Sequence, residues 1–183
     1  MRCQHLSVDN FAWLVYANYI ERQIFLAPMK NNLEVSDLKT EITAKLNEYL
    51  ANIGVSYIKL HNLHWNVVGS QFKAVHEYLE TLYDALADVL DATAEVIKMN
   101  GEMPLASMKD YLSVATITEL ESKELDVKTT LETVLEDMQI MKTQAAELRK
   151  MADEEDQYDV VSMMESDLAN YDKTIWFIAS MLK

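Results

Sequence analysis

A chain of 183 residues has the length of a single domain with a sizeable core. Half of its residues are apolar, and its three glycines and two prolines are too few for the turns of a β-rich fold, so the composition favours an all-α protein. The formal net charge of -14 opposes binding to nucleic-acid phosphates and suits metal cations better, because nucleic-acid affinity comes largely from Lys and Arg.

The first two long helices are marked by apolar residues that recur every three or four positions. This spacing predicts a helix over Ser36–His64, with Ser36 as its N-cap and a turn at Gly69 after its end. It predicts a second helix over Ser70–Met99, which stops at Asn100 and Gly101. We expect a tight turn between the two helices.

Two further long helices are predicted over Ser122–Ala152 and Gln157–Leu182. About twenty residues, Asn100–Glu121, separate the second helix from the third, whereas adjacent antiparallel helices are usually joined by about 2 to 8. A ferritin-like four-helix bundle requires one long crossover at this point. We therefore predict that fold for residues 34–183, with a short helix over Ser107–Val114 inside the crossover.

Residues 1–33 form an N-terminal extension in this interpretation, with an extra helix over Ser7–Leu26. Residues 1–30 carry a net charge of +1 and the rest of the chain carries -15. The extension is rich in aromatic residues, which suits packing against a neighbouring subunit or a partner. Its weak positive charge gives only slight support to DNA binding.

Candidate metal ligands lie in two pairs on the second helix. His76 and Glu80 are four residues apart, and so are Asp91 and Glu95, so each pair projects from one helical face. Asp91 follows Glu80 by eleven residues. At 100° of rotation per residue, this places the two side chains at nearly the same angle around the helix axis. All four side chains therefore share one stripe.

One chain alone cannot gather this stripe around an ion, because the pair centres lie fifteen residues or about 22 Å apart along the helix. If a second copy packs antiparallel across a twofold axis near residues 85 and 86, position 78 of one chain faces position 93 of the other. Two equivalent sites then form between the chains. His64, just before the turn, joins His76 and Glu80.

Mixed imidazole and carboxylate ligands are typical of divalent first-row metals, and an oxygen-rich site with open positions favours iron. The absence of cysteine from this set disfavours structural zinc. Cys3 is the one cysteine of the chain, and no convincing signal peptide is present, which predicts a cytoplasmic protein. The apolar run Phe11–Ile20 is about half as long as a membrane span requires, so we expect no membrane partner.

The turn and the second helix resemble the signature of the Dps family, the DNA-binding proteins from starved cells. The resemblance is carried by Phe72, Val75-His76-Glu77, Asp91-Ala92-Thr93-Ala94-Glu95 and His64-Trp65-Asn66-Val67-Val68-Gly69. Asp172-Lys173-Thr174-Ile175-Trp176-Phe177-Ile178 also resembles the last helix of the family. About the first thirty residues fall outside the likeness.

The resemblance implies a hollow dodecamer that stores iron, with a ferroxidase centre of two irons between subunits and hydrogen peroxide as the preferred oxidant. By position, His64 and Asp91 match ligands of the first iron, Glu95 matches the bridging carboxylate, and His76 matches a ligand of a weaker second position. Glu80 stands where the family usually has Asp, which puts the occupancy of that second position in doubt. Val96 stands where Arg is common, so a salt bridge is missing.

Two further roles follow from the same resemblance. Trp65 matches a tryptophan beside the centre that quenches radicals, although core packing is the alternative. The acidic residues Asp153 to Asp156 and Asp159 either line threefold pores that draw cations inward or form a solvated loop. His61, one turn before His64, is interpreted as structural or as a neighbour of the ligands.

The leading hypothesis is therefore a stress-response oxidoreductase that oxidises and stores ferrous iron. The first alternative is a nucleoid, DNA-binding or interaction protein of the same fold with a weak or inactive metal site. A larger ferritin or bacterioferritin is the second alternative. It is disfavoured because those bundles hold their ligands inside one subunit with Glu-x-x-His motifs, and this sequence has none.

Overall fold

A computed structural model describes residues 40–183 of the chain. The predicted Ser36 N-cap, the predicted Ser7–Leu26 helix and the proposed boundary after residue 33 lie outside them. The described part is helical from its first residue. In chain order its elements are α1 (residues 40–66), β1 (Val67–Val68), α2 (Phe72–Met99), α3 (Met108–Val114), β2 (Leu125–Asp126), α4 (Val127–Glu154) and α5 (Tyr158–Met181).

The predicted fold class is confirmed: α1, α2, α4 and α5 are the four long helices, and α3 lies in the crossover between α2 and α4. Ser107 caps α3, with its Oγ accepting a hydrogen bond of 3.2 Å from the backbone N–H of Asp110. The turn before α2 requires Gly69, whose φ of 129° is in a region that side chains rarely adopt.

The predicted start of the third long helix is wrong by five residues. Residues 125 and 126 are extended, and α4 begins only at Val127, after the side chain of Asp126 accepts a 3.0 Å hydrogen bond from the N–H of Thr129. Leu125 and Asp126 pair in parallel with Val67 and Val68. This two-residue pairing was not predicted, because it is too short to leave a periodic pattern in the sequence.

Three asparagines of α1 hold the crossover against the bundle. The Oδ1 of Asn47 accepts a bond from the N–H of Leu105 at 2.7 Å, and the Nδ2 of Asn62 donates to the carbonyl of Leu120 at 3.0 Å. The fully buried Asn52 accepts from two successive backbone N–H groups, at positions 116 and 117. These bonds satisfy backbone groups that a helix or sheet would otherwise pair.

The apolar core runs the length of the bundle between the four long helices. Its most buried side chains are Ile42, Leu46, Leu50, Ile53, Leu63, Leu79, Ile97, Leu131, Met141, Leu148 and Met164. α4 and α5 are also joined at the surface, where Arg149 donates from Nε and Nη2 to one carboxylate oxygen of Glu165 at 3.0 and 2.9 Å. None of the described helices combines the length and the apolar character needed to cross a membrane.

Candidate metal centre

His64 at the end of α1 and His76 in the second turn of α2 face each other across the turn between the helices. Their rings are stacked, with centroids 3.6 Å apart and planes 20° apart. The Nδ1 of His64 lies 2.8 Å from the carbonyl oxygen of His76, and the Nδ1 of His76 lies 2.8 Å from the carbonyl oxygen of His64. This reciprocal pair of bonds ties α1 to α2.

The bonding pattern determines where the ring protons lie. A carbonyl oxygen can only accept, so each Nδ1 must carry the hydrogen that it donates. In a neutral imidazole the other nitrogen, Nε2, then keeps its lone pair. Both histidines are therefore held by main-chain oxygens in the tautomer in which Nε2 can bind a metal, which is the usual way proteins orient histidine ligands.

An aromatic group surrounds the histidine pair. Phe72 lies 5.0 Å from His76 between ring centroids, and Tyr83 meets His64 edge-on at 5.3 Å. The His61 ring is stacked on the Tyr83 ring, with centroids 3.9 Å apart. The Nδ1 of His61 lies 2.8 Å from the carbonyl oxygen of Tyr57. Trp65 is 69% exposed and lies 5.5 Å from His61. Trp65, which the family resemblance places beside the metal centre, therefore lies on the surface of the single chain.

Sequence reasoning did not single out Tyr83. The signal that was available is spacing: Tyr83 follows His76 by seven residues, or about two helical turns, and therefore lies near the same face of α2. Partial burial raises the pKa of Tyr83, and the nearby carboxylates of Glu80 and Asp84 raise it further. Glu80 lies four residues after His76 and three before Tyr83, a spacing that puts the three side chains near one face of α2.

The three predicted carboxylate ligands are all exposed on α2. Within residues 40–183 of one chain, the side chains of Glu80, Asp91 and Glu95 make no hydrogen bond or ion pair. The structure brings His64 and His76 together, but nowhere in its described part do three His, Cys, Asp or Glu side chains lie close enough to hold a metal ion.

Val96, the departure from the family pattern beside Glu95, is buried in the core. It packs against apolar neighbours and supplies no ion pair at the surface.

The acidic run spans the turn between α4 and α5. Asp153 closes an ion pair of 3.1 Å with Arg149, and Asp159 accepts a 3.2 Å bond from the Nδ2 of Asn100. Asp156 has a positive φ of 55° and accepts a 2.6 Å hydrogen bond from the hydroxyl of Tyr158. Asp153, Asp156 and Asp159 therefore each have a bonded partner within the chain.

The middle of the bundle, where a larger ferritin would hold metal, is filled by a hydrogen-bonded group. The Tyr49 hydroxyl donates to Asp167 at 2.9 Å and lies 2.5 Å from the hydroxyl of Tyr171. Burial raises the pKa of the Asp167 carboxyl and raises those of both tyrosines. One carboxylate with two phenols is not the set of Glu and His ligands of such centres.

Comparisons with known proteins agree with this architecture. The sequence profile of the ferritin-like domain matches residues 43–183. Antigen TpF1 of Treponema pallidum (strain Nichols) is 33% identical over 142 residues, which is 78% of this chain and 80% of that protein. A "DNA protection during starvation protein" of Helicobacter pylori is 30% identical over 137 residues, which is 75% of this chain and 95% of that protein.

Solved structures give the same result. The crystal structure of antigen TpF1 superposes with a TM-score of 0.79 at 32% identity, over 80% of this chain and 94% of that one. The Dps protein of Vibrio cholerae O1, described as a member of a broad superfamily of ferritin-like diiron-carboxylate proteins, gives 0.77 at 25% identity, over 80% and 92%. This chain therefore belongs to the Dps family of ferritin-like proteins.

Proposed function

We propose that this protein oxidises ferrous iron with hydrogen peroxide and stores the product inside a dodecameric shell, in the cytoplasm. The observation that carries the proposal is the reciprocally bonded pair His64 and His76, which presents two imidazoles with free Nε2 lone pairs. Membership of a diiron-carboxylate superfamily fits iron storage and protection. To iron storage and protection the proposal adds the oxidation of ferrous iron by peroxide and a site for this reaction between two chains.

Each site would be shared between two chains. One chain supplies His64, His76 and Glu80, and an antiparallel copy across a twofold axis near residues 85 and 86 supplies Asp91 and Glu95. Two features of the single chain support this arrangement. The carboxylates are exposed and without partners among the described residues, and α2 is one uninterrupted helix over Phe72–Met99, as the spacing argument requires.

The residues would divide the work as follows. His64 with Asp91 would bind the first ferrous ion, His76 with Glu80 would bind a second and weaker one, and Glu95 would bridge the two. Carboxylates stabilise the more highly charged ferric product relative to the ferrous substrate. Two ferrous ions supply the two electrons that break the O–O bond of hydrogen peroxide, and with two protons the products are two ferric ions and two waters.

Complementation between inactive variants tests the shared site. His64→Ala disables the imidazole half and Asp91→Ala disables the carboxylate half, so shells of either variant alone should oxidise little iron. Random co-assembly places one intact site in each mixed pair, which restores about a quarter of the wild-type rate. The measurement is absorbance at ferric-oxide wavelengths after ferrous salt and peroxide are added to shells refolded or co-expressed from both variants.

The matched control mixes His64→Ala with His76→Ala, two changes in the same half. A mixed pair of these variants contains no intact imidazole half, so the rate should stay at the level of the single variants. The proposal fails if the His64→Ala and Asp91→Ala mixture gains nothing over its components although both assemble, or if the control mixture gains as much.

The DNA-binding alternative is favoured by one observation, the name of the Helicobacter pylori relative. The net charge of -15 outside residues 1–30 opposes it. A gel shift at low salt with the full chain and with a chain lacking residues 1–30 separates the cases. Retardation by the full chain alone would assign DNA binding to the extension, and retardation by neither would remove this alternative.

A further inference from the structure

Three kinds of contact fix the plane of the His64 ring. Its Nδ1 donates to the carbonyl of His76, and one ring face is covered by the His76 imidazole at 3.6 Å. The third contact is the edge-on approach of Tyr83, with an interplanar angle of 88°. A hydrogen bond alone leaves an imidazole free to tilt about the bond axis, so packing contacts are needed to aim Nε2 at one point.

Tyr83 is itself held by a second layer. The His61 ring is stacked on it at 3.9 Å with an interplanar angle of 24°, and Tyr57 approaches it edge-on at 6.4 Å. His61 cannot rotate freely, because its Nδ1 is bonded to the carbonyl oxygen of Tyr57 one turn earlier. The stack therefore runs from a main-chain oxygen of α1 through His61 and Tyr83 to His64.

This layer differs from ordinary core packing. Tyr57, His61 and Tyr83 are only half-buried, and the neighbouring Trp65 is largely exposed, whereas the apolar core beneath them is fully buried. His64 is 6% exposed although it would be a ligand. The half-buried ring of Tyr83 therefore contacts an imidazole that is itself almost fully buried.

We propose that Tyr83, braced by His61, is a positioning residue that aims the Nε2 of His64 at the metal. The inference rests on the proposed function and adds two residues that the ligand set does not contain. It assigns the role to the Tyr83 ring rather than to its hydroxyl, since the contacts described are ring contacts.

Cobalt binding to the assembled protein tests the inference without requiring iron oxidation. Tyr83→Leu removes the aromatic ring and should weaken Co²⁺ affinity by about tenfold or more, the usual cost of losing a residue that orients a metal ligand. The visible absorption bands of bound Co²⁺ should shift, because ligand geometry changes. Tyr83→Phe keeps the ring and should match wild type in both readings.

His61→Leu is the second variant and is expected to reproduce the Co²⁺ defect of Tyr83→Leu in weaker form, since it removes only the brace. It serves as the readout if Tyr83→Leu fails to assemble. The inference is overturned if assembled leucine variants bind Co²⁺ with wild-type affinity and spectrum, or if Tyr83→Phe is as defective as Tyr83→Leu.

The two proposals fail separately. A wild-type shell that oxidises iron, together with a Tyr83→Leu shell that binds Co²⁺ normally, would refute the positioning role alone. A wild-type shell that oxidises no iron but loses Co²⁺ affinity on Tyr83→Leu would refute the ferroxidase proposal and leave the positioning role intact. His64→Ala, which removes the ligand itself, gives the lower limit of affinity in both cases.

Discussion

The middle of the bundle and the end where α1 meets α2 treat polar side chains in opposite ways. In the middle, the Tyr49 hydroxyl bonds to both Asp167 and Tyr171, and about three turns further along α1 the buried Lys59 pairs with Asp137 at 2.9 Å. At the end, the imidazoles are bonded through Nδ1 only. The carboxylates of the α2 stripe have no bonded partner in the described part of one chain.

This difference separates side chains that stabilise the fold from side chains that are available for binding. A buried polar group without a partner costs folding free energy, so the bonds between Tyr49, Asp167 and Tyr171 and between Lys59 and Asp137 stabilise the fold. Exposed carboxylates cost little when unpaired, because water solvates them. A group left open at the surface is therefore available to a metal or a second chain.

The largest expected effect on stability comes from Lys59→Met, which leaves the buried Asp137 without its cation. Lys59 and Asp137 side chains are only 7% and 10% exposed. Burial raises the pKa of Asp137, and Lys59 offsets that rise, so the carboxylate depends on its partner. We expect the free energy of unfolding to fall by about 3 to 5 kcal/mol, measured by denaturant titration.

Two further variants sharpen this prediction. Whereas Lys59 and Asp137 join α1 to α4, the exposed pair Lys142 and Asp172 joins α4 to α5, so Lys142→Met should change stability little. Adding Asp137→Leu to Lys59→Met removes the orphaned carboxylate and should recover much of the loss. A double variant no more stable than Lys59→Met would show that the cost lies in packing and not in the unpaired charge.

A smaller effect, and one that depends on pH, is expected for Asp167→Asn. The folded protein raises the pKa of Asp167 above its ordinary value of 3.8, mainly by burial, so the protonated carboxyl favours folding. That contribution is complete below the ordinary value and is lost as pH rises through the folded pKa. Asparagine is neutral throughout, so the variant should gain stability relative to wild type as pH rises through the folded pKa of Asp167.

Thermal unfolding of both proteins across the acid range measures this difference. Asp88→Asn removes an exposed carboxylate from α2 and is the control for the loss of one surface charge. If the difference between Asp167→Asn and wild type did not change with pH, the Asp167 carboxyl would not titrate differently in the folded and unfolded states.

The smallest effect on stability is expected for Asp91→Asn at the open end. Its side chain is exposed and makes no hydrogen bond or ion pair within residues 40–183, so the free energy of unfolding should stay within about 0.5 kcal/mol of wild type. Metal affinity should nevertheless fall, because an amide replaces a charged ligand. Calorimetric titration with Co²⁺ and denaturant titration on the same sample measure the two effects. A large loss of stability with unchanged Co²⁺ affinity would show that Asp91 stabilises the fold and does not bind metal.

Periodicity was sufficient to predict the helices because each helix must bury one face. The apolar spacing gave α2 within two residues of its observed start and at its observed end, and Ser107 was included at the cap of α3. It failed at the start of α4, where β2 pairs with β1 instead of continuing the helix. Such pairing depends on a distant segment, which local spacing cannot reveal.

The sequence alone determined the bundle, the long crossover and the shared stripe of His76, Glu80, Asp91 and Glu95 on α2, since these depend on distances along one chain. Only the tertiary structure decided that His64 and His76 bond reciprocally, that both present Nε2, and that Tyr83 and His61 stand beside them. The physical reason is that a ring's tautomer and tilt are set by the atoms that touch it. Those atoms come from two different helices, and spacing along the chain does not specify how their side chains meet.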